Sequence, residues 1–407
     1  MKKEKLKIVA DAHIWGVESA FFSIPDFDVD LSVLESRVIT REQLKDTDIL
    51  LTRSSTKVNA GLLEGTSVRF AGTATIGDDH YDKTWLEANN IAWANAAGSS
   101  TGSVIEYMIS ALLELHMRKL VSIPHMTLGI IGAGRIGSAL AKVCTGMGMN
   151  VLLNDPPRER VEGDDVFSSI DSVLEAADVI TLHTPLTHDG EDKTFHLINA
   201  ALLSRFQGKG VINAARGACV DNHALADWLG NDHEPDADQQ HFAVLDCWEG
   251  EPAVSTRLLT HANVVIATPH IAGHSLDGKA ANTQYIYHAL CEYLGVEPVW
   301  NKQQALPKVD DVHQVTCSSE VWHDLYAMVM KLYPIMRDDA AMRSWAMFSE
   351  NEMAKAFADF RRHYPVRRSW QLAKMKTSQH ETLSPTVYRM IQAMTHRMGI
   401  HVLGSGL

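Results

Sequence analysis

Apolar residues along the chain gather in short runs separated by polar stretches with helical character. Residues 6–10, 48–52, 68–72, 127–131, 151–154, 179–183, 210–213, 242–246 and 264–267 are such runs, and each ends on small or polar residues where a loop should begin. Helical candidates lie between them, near 41–46, 57–64 and 138–146, with a longer one over 277–294. Strands alternating with helices in this way predict doubly wound α/β units with parallel sheets. The first hundred residues read as one such unit without a glycine fingerprint. The serine and threonine cluster at 99–103 offers N-caps for a helix running to His116, apolar on most sides and so expected to be buried between two units. The acidic, turn-rich residues 231–238 read as a solvated loop. Residues 297–307 read as a linker, and the chain changes character beyond it, with Trp322, Trp345, Trp370, many methionines and a basic stretch over 361–368.

One run carries chemistry by itself. The apolar residues 127–131 lead into Gly132, Gly134 and Gly137 in the spacing G-x-G-x-x-G; a helical stretch follows, then the run 151–154, then Asp155. A glycine-rich turn between strand and helix lets backbone approach a pyrophosphate, and the helix N-terminus presents free N–H groups and a positive dipole end to it. An acid closing the next strand suits the adenosine ribose hydroxyls. Strand, turn, helix, strand and acid all fall in order, so a dinucleotide site is expected. Asp155 argues for NAD over NADP, because a carboxylate repels a 2′-phosphate. Arg158 is the nearby residue able to accept that phosphate in its place, and it is read as a surface residue.

Composition narrows the field. The 407 residues suffice for two or three domains, and a content of 45% hydrophobic and 21% charged residues is that of a globular protein. No apolar run approaches a membrane span. The basic residues 2–7 resemble the start of a signal peptide, but the apolar stretch after them stops at Asp11, so a cytoplasmic protein is expected. Five scattered cysteines and twenty histidines form no C-x-x-C or H-E-x-x-H cluster, and neither a disulfide frame nor a metal site is expected. A net charge of −13 opposes nucleic-acid binding and means that an anionic substrate needs a local cationic pocket.

In open α/β sheets ligands bind beyond the carboxyl ends of the strands. Three consecutive runs end near Arg216, Glu251 and His270, so these side chains can converge. Oxidising a 2-hydroxy acid removes a hydride from C2 while a base takes the hydroxyl proton. Histidine suits that base, a carboxylate orients and stabilises its imidazolium, and an arginine fork grips the substrate carboxylate. A second cationic cluster, Arg53 to Lys57, follows the 48–52 run. With the threonines of 72–75 it offers hydroxyls, N–H groups and charge for a phosphate or carboxylate; the alternative is a solvated loop capping a helix from Ser54, Ser55 or Thr56.

Residues 213–217 (Asn-Ala-Ala-Arg-Gly), 246–252 (Asp-Cys-Trp-Glu-Gly-Glu-Pro) and 268–273 (Thr-Pro-His-Ile-Ala-Gly) resemble the signatures of the D-isomer-specific 2-hydroxyacid dehydrogenases. Within them the chain is most similar to the erythronate-4-phosphate dehydrogenase family, through residues 53–59, 70–75, 155–158, 183–186 and 273–279. Residues 333–339 and 361–370 resemble that family's C-terminal dimerisation domain. The resemblance implies a Rossmann-type NAD domain over 101–276 and a flavodoxin-like substrate domain over 1–100 completed by 277–296. A small α+β dimerisation domain over 297–407 and a hinged cleft complete the implied fold. It also implies oxidation of 4-phospho-D-erythronate to 3-hydroxy-2-oxo-4-phosphooxybutanoate with NAD, in vitamin B6 synthesis, by a homodimer. Carried over motif by motif, His270 is the acid/base, Glu251 its partner and Arg216 the carboxylate anchor. Ser54, Thr75, Arg53 and His274 face substrate, and Arg135, Ile136, Asp155, Thr184, Asp246 and Gly273 line the NAD site with the fingerprint glycines.

The chain departs from that family at a few positions. His274 stands where the family has a substrate-contacting tyrosine, residues 97–100 replace Pro-Gly-x-Asn, and Asp78 adds a carboxylate that would repel a phosphate if aimed at it. Alternative readings are a dehydrogenase of another D-2-hydroxy acid, such as 3-phosphoglycerate, and a NAD-sensing binding protein on the same fold. The basic stretch 361–368 is expected either to form a solvated or interface-lining face or to reach a neighbouring subunit's substrate site.

Overall fold

The structure, a computed structural model, describes residues 3–163, 165–230, 241–309, 312–317, 320–379, 393 and 395–403. The loop expected over 231–238 lies outside the described residues. The chain divides into two compact units, Met1–Ser100 with Ser275–Lys308, and Thr101–His274 with Val309–Leu407.

The first unit holds a five-stranded parallel sheet. Its order is Phe27–Leu34, Glu4–Asp11, Ile49–Thr52, Phe70–Thr73, Ala92–Asn95, the flavodoxin-like 2-1-3-4-5. The three inner strands carry the expected apolar runs. The two outer ones escape a search for such runs because neither is fully buried: Phe27–Leu34 alternates half-buried and exposed residues, as an edge strand must. Ile14, Phe21, Ile286, Tyr287 and Leu290 pack on one face and Leu44, Val58, Leu63 and Leu86 on the other. The helix Leu276–Leu294 thus closes a sheet made by the first hundred residues. Residues 297–307, read as a linker, belong to this unit, and the Trp300 ring packs on Trp15 and Tyr287.

The second unit holds a six-stranded parallel sheet in the order Val264–Ala267, Phe242–Leu245, Gly210–Asn213, Val179–Leu182, Thr127–Ile131, Asn150–Asn154. Strand order reverses between Thr127–Ile131 and Val179–Leu182, so the crevice beyond their carboxyl ends is the topological switch point where such folds hold ligands. The helix Thr101–Met117 is buried from Ser103 through Leu115. It packs beside Leu325, Met328 and Val329 of the helix Val321–Leu332. On the opposite face of the sheet, Met342, Trp345, Met353 and Phe357 join Val173, Leu225 and Leu258. Each such side chain, moved fully out of water, contributes roughly 2 kcal/mol. The described residues beyond 309 therefore cover both faces of this sheet, and those of them that are buried share its core. They also add a three-stranded parallel sheet, Val312–Cys317, Lys374–Gln379 and His401–Leu403. No described helix is long and apolar enough to cross a membrane.

Candidate active site

The fingerprint turn forms as its glycines require. The helix Arg135–Gly146 starts inside the motif, with Gly134 at its N-cap, three residues earlier than its apolar pattern suggests. A methyl group on Gly137 would lie 2.0 Å from the Gly132 carbonyl oxygen, so only glycine lets helix and turn pack this closely. Asp155 ends the strand Asn150–Asn154 half-buried. One of its oxygens accepts from the backbone N of Ala133 at 2.8 Å, and the other caps the next helix by accepting from Arg158 N at 3.1 Å. The acid is thereby fixed against the turn. Arg158 is committed elsewhere: its guanidinium donates to both Glu162 oxygens at 2.7 and 2.6 Å, to the Ala133 carbonyl and to Ser138 Oγ. With the arginine held by a carboxylate and Asp155 beside the turn, the residues fit NAD and disfavour a 2′-phosphate. Thr184 follows the strand Val179–Leu182, and its methyl group lies against Gly132. Next to it His183 is kept neutral, since burial pushes its imidazole down to about 4.

The catalytic candidates stand at the carboxyl ends of three adjacent strands. Arg216 follows Gly210–Asn213 on a segment held by Asn213, whose side-chain amide donates to the Arg216 carbonyl at 2.9 Å. Gly217 keeps that segment against the next loop: a Cβ there would lie 2.0 Å from the carbonyl carbon and oxygen of Trp248. Glu251 ends this loop. One of its oxygens meets His270 Nδ1 at 2.5 Å, and the other accepts from Trp248 N at 3.1 Å. Burial works to raise the Glu251 carboxyl, but His270, Arg361 and the Trp248 amide outweigh it and hold the group below the ordinary carboxylate range. An ionised carboxylate only accepts, so Nδ1 carries the proton and Nε2 is left as the basic nitrogen.

Asp246 lies at the end of Phe242–Leu245, 1% exposed. One oxygen accepts from Thr268 Oγ1 at 2.7 Å and Ile271 N at 2.8 Å, the other from Ala272 N at 2.9 Å. The Asp246 carbonyl accepts from His270 N at 2.7 Å. This residue, expected to line the cofactor site, is thus also the anchor of the loop that carries His270. His270 itself has φ +53°, a left-handed conformation that costs a non-glycine residue of order 1 kcal/mol and persists only where its surroundings impose it. Gly273 follows in this loop. At His274 the ring packs edge-on against Tyr364, with centroids 6.0 Å apart.

In the first unit Arg53 and Ser54 leave the strand Ile49–Thr52 at its carboxyl end, beside the reversal in strand order, and Thr75 leaves the neighbouring Phe70–Thr73. The helix after them is only Ala60–Leu63 and is capped by Asn59, so none of Ser54, Ser55 and Thr56 is its N-cap. Thr75 Oγ1 bonds Thr73 Oγ1 at 2.7 Å and donates to the Gly77 carbonyl at 2.8 Å. The added carboxylate Asp78 is neutralised within this unit by Lys83 Nζ at 3.1 Å and Asn95 Nδ2 at 2.9 Å. Its expected repulsion of a phosphate is therefore largely spent. Sequence reasoning did not find Arg361, whose Nε donates to the His270 carbonyl at 3.2 Å, or Arg367, whose Nη2 donates to the Ala272 carbonyl at 2.8 Å. Both lie in the basic stretch singled out in the sequence, and these two bonds are made within one chain.

Residues 113–272 match the family described as D-isomer specific 2-hydroxyacid dehydrogenase, NAD binding domain. The solved structure of a D-lactate dehydrogenase from Aquifex aeolicus, in complex with NAD and lactic acid, shares the fold, with a TM-score of 0.57 at 23% identity over 71% of this chain and 95% of that one. Fold, fingerprint and the His–Glu pair define an NAD-dependent 2-hydroxyacid dehydrogenase of the D-isomer-specific class. Across nearly its full length the chain is 39% identical to the erythronate-4-phosphate dehydrogenase of Azotobacter vinelandii, covering 96% of this chain and 99% of the relative. It is 41% identical to that of Pseudomonas savastanoi pv. phaseolicola, covering 91% and 95%. The chain belongs to the erythronate-4-phosphate dehydrogenase family.

Proposed function

We propose that the chain oxidises 4-phospho-D-erythronate at C2 to (R)-3-hydroxy-2-oxo-4-phosphooxybutanoate, in the synthesis of vitamin B6. The observation that carries the chemistry is the His270–Glu251 pair at the carboxyl edge of a sheet that bears a dinucleotide turn. His270 Nε2 takes the C2 hydroxyl proton, and Glu251 stabilises the imidazolium that results. Arg216 grips the substrate carboxylate, and Arg53, Ser54, Thr75 and His274 contact the rest of the substrate. When bound beside Gly132, Gly134, Arg135, Ile136, Asp155, Thr184 and Gly273, NAD supplies the hydride acceptor. Residues beyond 309 form the dimerisation element of a cytoplasmic homodimer. Histidine in place of tyrosine at 274 favours one second reading, a different D-2-hydroxy acid as substrate.

The test is turnover followed by NADH absorbance, with 4-phospho-D-erythronate against D-erythronate and 3-phospho-D-glycerate, and with the 2-oxo acids and NADH for the reverse direction. Preference for the erythronate phosphate supports the reading. Turnover of another hydroxy acid with that compound inert moves the substrate. His270→Ala should lower kcat by orders of magnitude, and NADH binding without turnover of any hydroxy acid would favour a sensor.

A further inference from the structure

The loop 268–272 carries the base in a backbone conformation that it does not favour, and both sides of that backbone are held. On the amide side Asp246 takes up the N–H groups of His270, Ile271 and Ala272. On the carbonyl side the grips come from beyond residue 309. Arg361, at the end of the helix Glu350–Arg362, donates Nε to the His270 carbonyl at 3.2 Å. Its guanidinium lies 5.7 Å from the ring of Phe357, one turn back and 1% exposed, which fixes its direction. Arg367 is 5% exposed, stacks over Tyr333 at 4.2 Å and donates Nη2 to the carbonyls of Ala272 at 2.8 Å and Ser103 at 3.1 Å.

We infer that Arg361 and Arg367 are positioning residues of the dehydrogenase reaction: the C-terminal segment holds the backbone of the base in register with Glu251, in addition to any part it plays in assembly. The inference rests on His270 being the base. Without these donors the carbonyls of half-buried His270 and buried Ala272 lose partners that are cationic and therefore strong. The loop is then free to relax the left-handed conformation at His270, and Nε2 moves with it. A displacement of about 1 Å at a catalytic group costs about a hundredfold in rate. Arg361 also adds positive charge that favours the ionised form of Glu251.

The test compares wild type with Arg361→Ala, Arg361→Lys and Arg361→Gln in the full-length protein. For each, kcat, KM and the Kd for NADH are measured, with and without added guanidinium, and His270→Ala serves as control. Arg361 is half-buried, so a small cation can reach its place. We expect Arg361→Ala to lower kcat by tenfold or more, with KM and the NADH Kd within about twofold of wild type, and guanidinium to restore part of the loss. Lysine should recover more of kcat than glutamine, because it keeps the charge. A kcat for Arg361→Ala within twofold of wild type overturns the inference. So does a loss of NADH binding in step with kcat in both the Ala and Gln variants, which makes Arg361 a folding residue. If His270→Ala keeps its turnover, the assignment of the base fails instead, and the two failures are distinguishable.

Discussion

Replacing Glu251 by glutamine tests the pair on which the mechanism turns. Glu251 satisfies two donors at once, His270 Nδ1 at 2.5 Å and Trp248 N at 3.1 Å. Glutamine brings one oxygen and one NH2: with the NH2 towards Trp248 an N–H faces an N–H, and with the NH2 towards His270 it is satisfied only by the tautomer that moves the proton to Nε2 and so removes the basic nitrogen. Leaving one such donor without an acceptor costs ~1–3 kcal/mol of stability. The kinetic loss has a different origin. In the proposed mechanism His270 becomes cationic during proton abstraction, and at 2.5 Å two unit charges attract by ~2 kcal/mol in water and ~7 kcal/mol at an effective dielectric of 20. Both side chains retain about a quarter of their exposure, and both charges are delocalised, so about 3 kcal/mol is realistic, or about a hundredfold in kcat. KM for NAD should stay within about twofold, because Glu251 makes no contact with the fingerprint turn. Steady-state NADH formation and thermal unfolding, run side by side, separate the two effects. A folded Glu251→Gln variant whose kcat is within fivefold of wild type would refute the argument. The pH dependence supplies a second check. Since the folded carboxyl lies below its ordinary value of 4.5, its stabilisation is complete above that value and is lost as pH falls through the depressed one. Wild type should therefore lose stability more steeply than Glu251→Gln on acidification below about pH 4.5.

Three further outcomes follow from the geometry. Asp155→Asn keeps an acceptor for the turn but removes the charge that repels a 2′-phosphate, so the ratio of kcat/KM for NAD to that for NADP should fall about tenfold; an unchanged ratio would shift that role away from Asp155. Gly217→Ala pushes a methyl group to 2.0 Å from the Trp248 carbonyl, and urea unfolding should show a loss of about 3 kcal/mol, whereas a loss below about 1 kcal/mol would mean that the Glu251 loop yields freely. Asp78→Asn should leave KM for the phosphorylated substrate within about twofold, because Lys83 and Asn95 already hold that carboxylate; a tenfold drop in KM would show that Asp78 does oppose the phosphate.

What the sequence disclosed, and what it hid, has a physical pattern. Eight of the nine apolar runs lie in largely buried strands, where the main requirement on a residue is to be apolar; the ninth is the half-buried edge strand Asn150–Asn154. The fingerprint and the candidate positions Arg216, Glu251 and His270 stood out because the proposed chemistry asks for a particular residue type at the end of such a run. The strand Phe27–Leu34 was missed although its alternation is visible in Phe27, Val29, Leu31 and Val33, because an edge strand reads as period two and not as a continuous run. Beyond residue 309 no single run announces an element, since those helices present narrow apolar faces to a sheet made by residues far earlier in the chain.

Arg361 and Arg367 were harder still to read. Both occur in a basic stretch whose default reading is a solvated face, and nothing local separates them from Arg362, which pairs with Asp359 on the same helix. Their partners are backbone carbonyls, and a carbonyl leaves no mark on the sequence. A catalytic residue is legible when the chemistry fixes its type. A residue that holds the catalytic backbone is legible only after the fold has shown which carbonyl is buried and which element passes over it. Asp246 shows both sides: the family resemblance gave it an expected place at the cofactor, while the three donors that it gathers from the His270 loop appear only once that loop is folded back over it. The proposed base, His270, is thus fixed from one side by a residue of its own sheet and from the other by a segment that joins that sheet's core from the far end of the chain. For that reason variants beyond residue 309 should be assayed for turnover as well as for assembly.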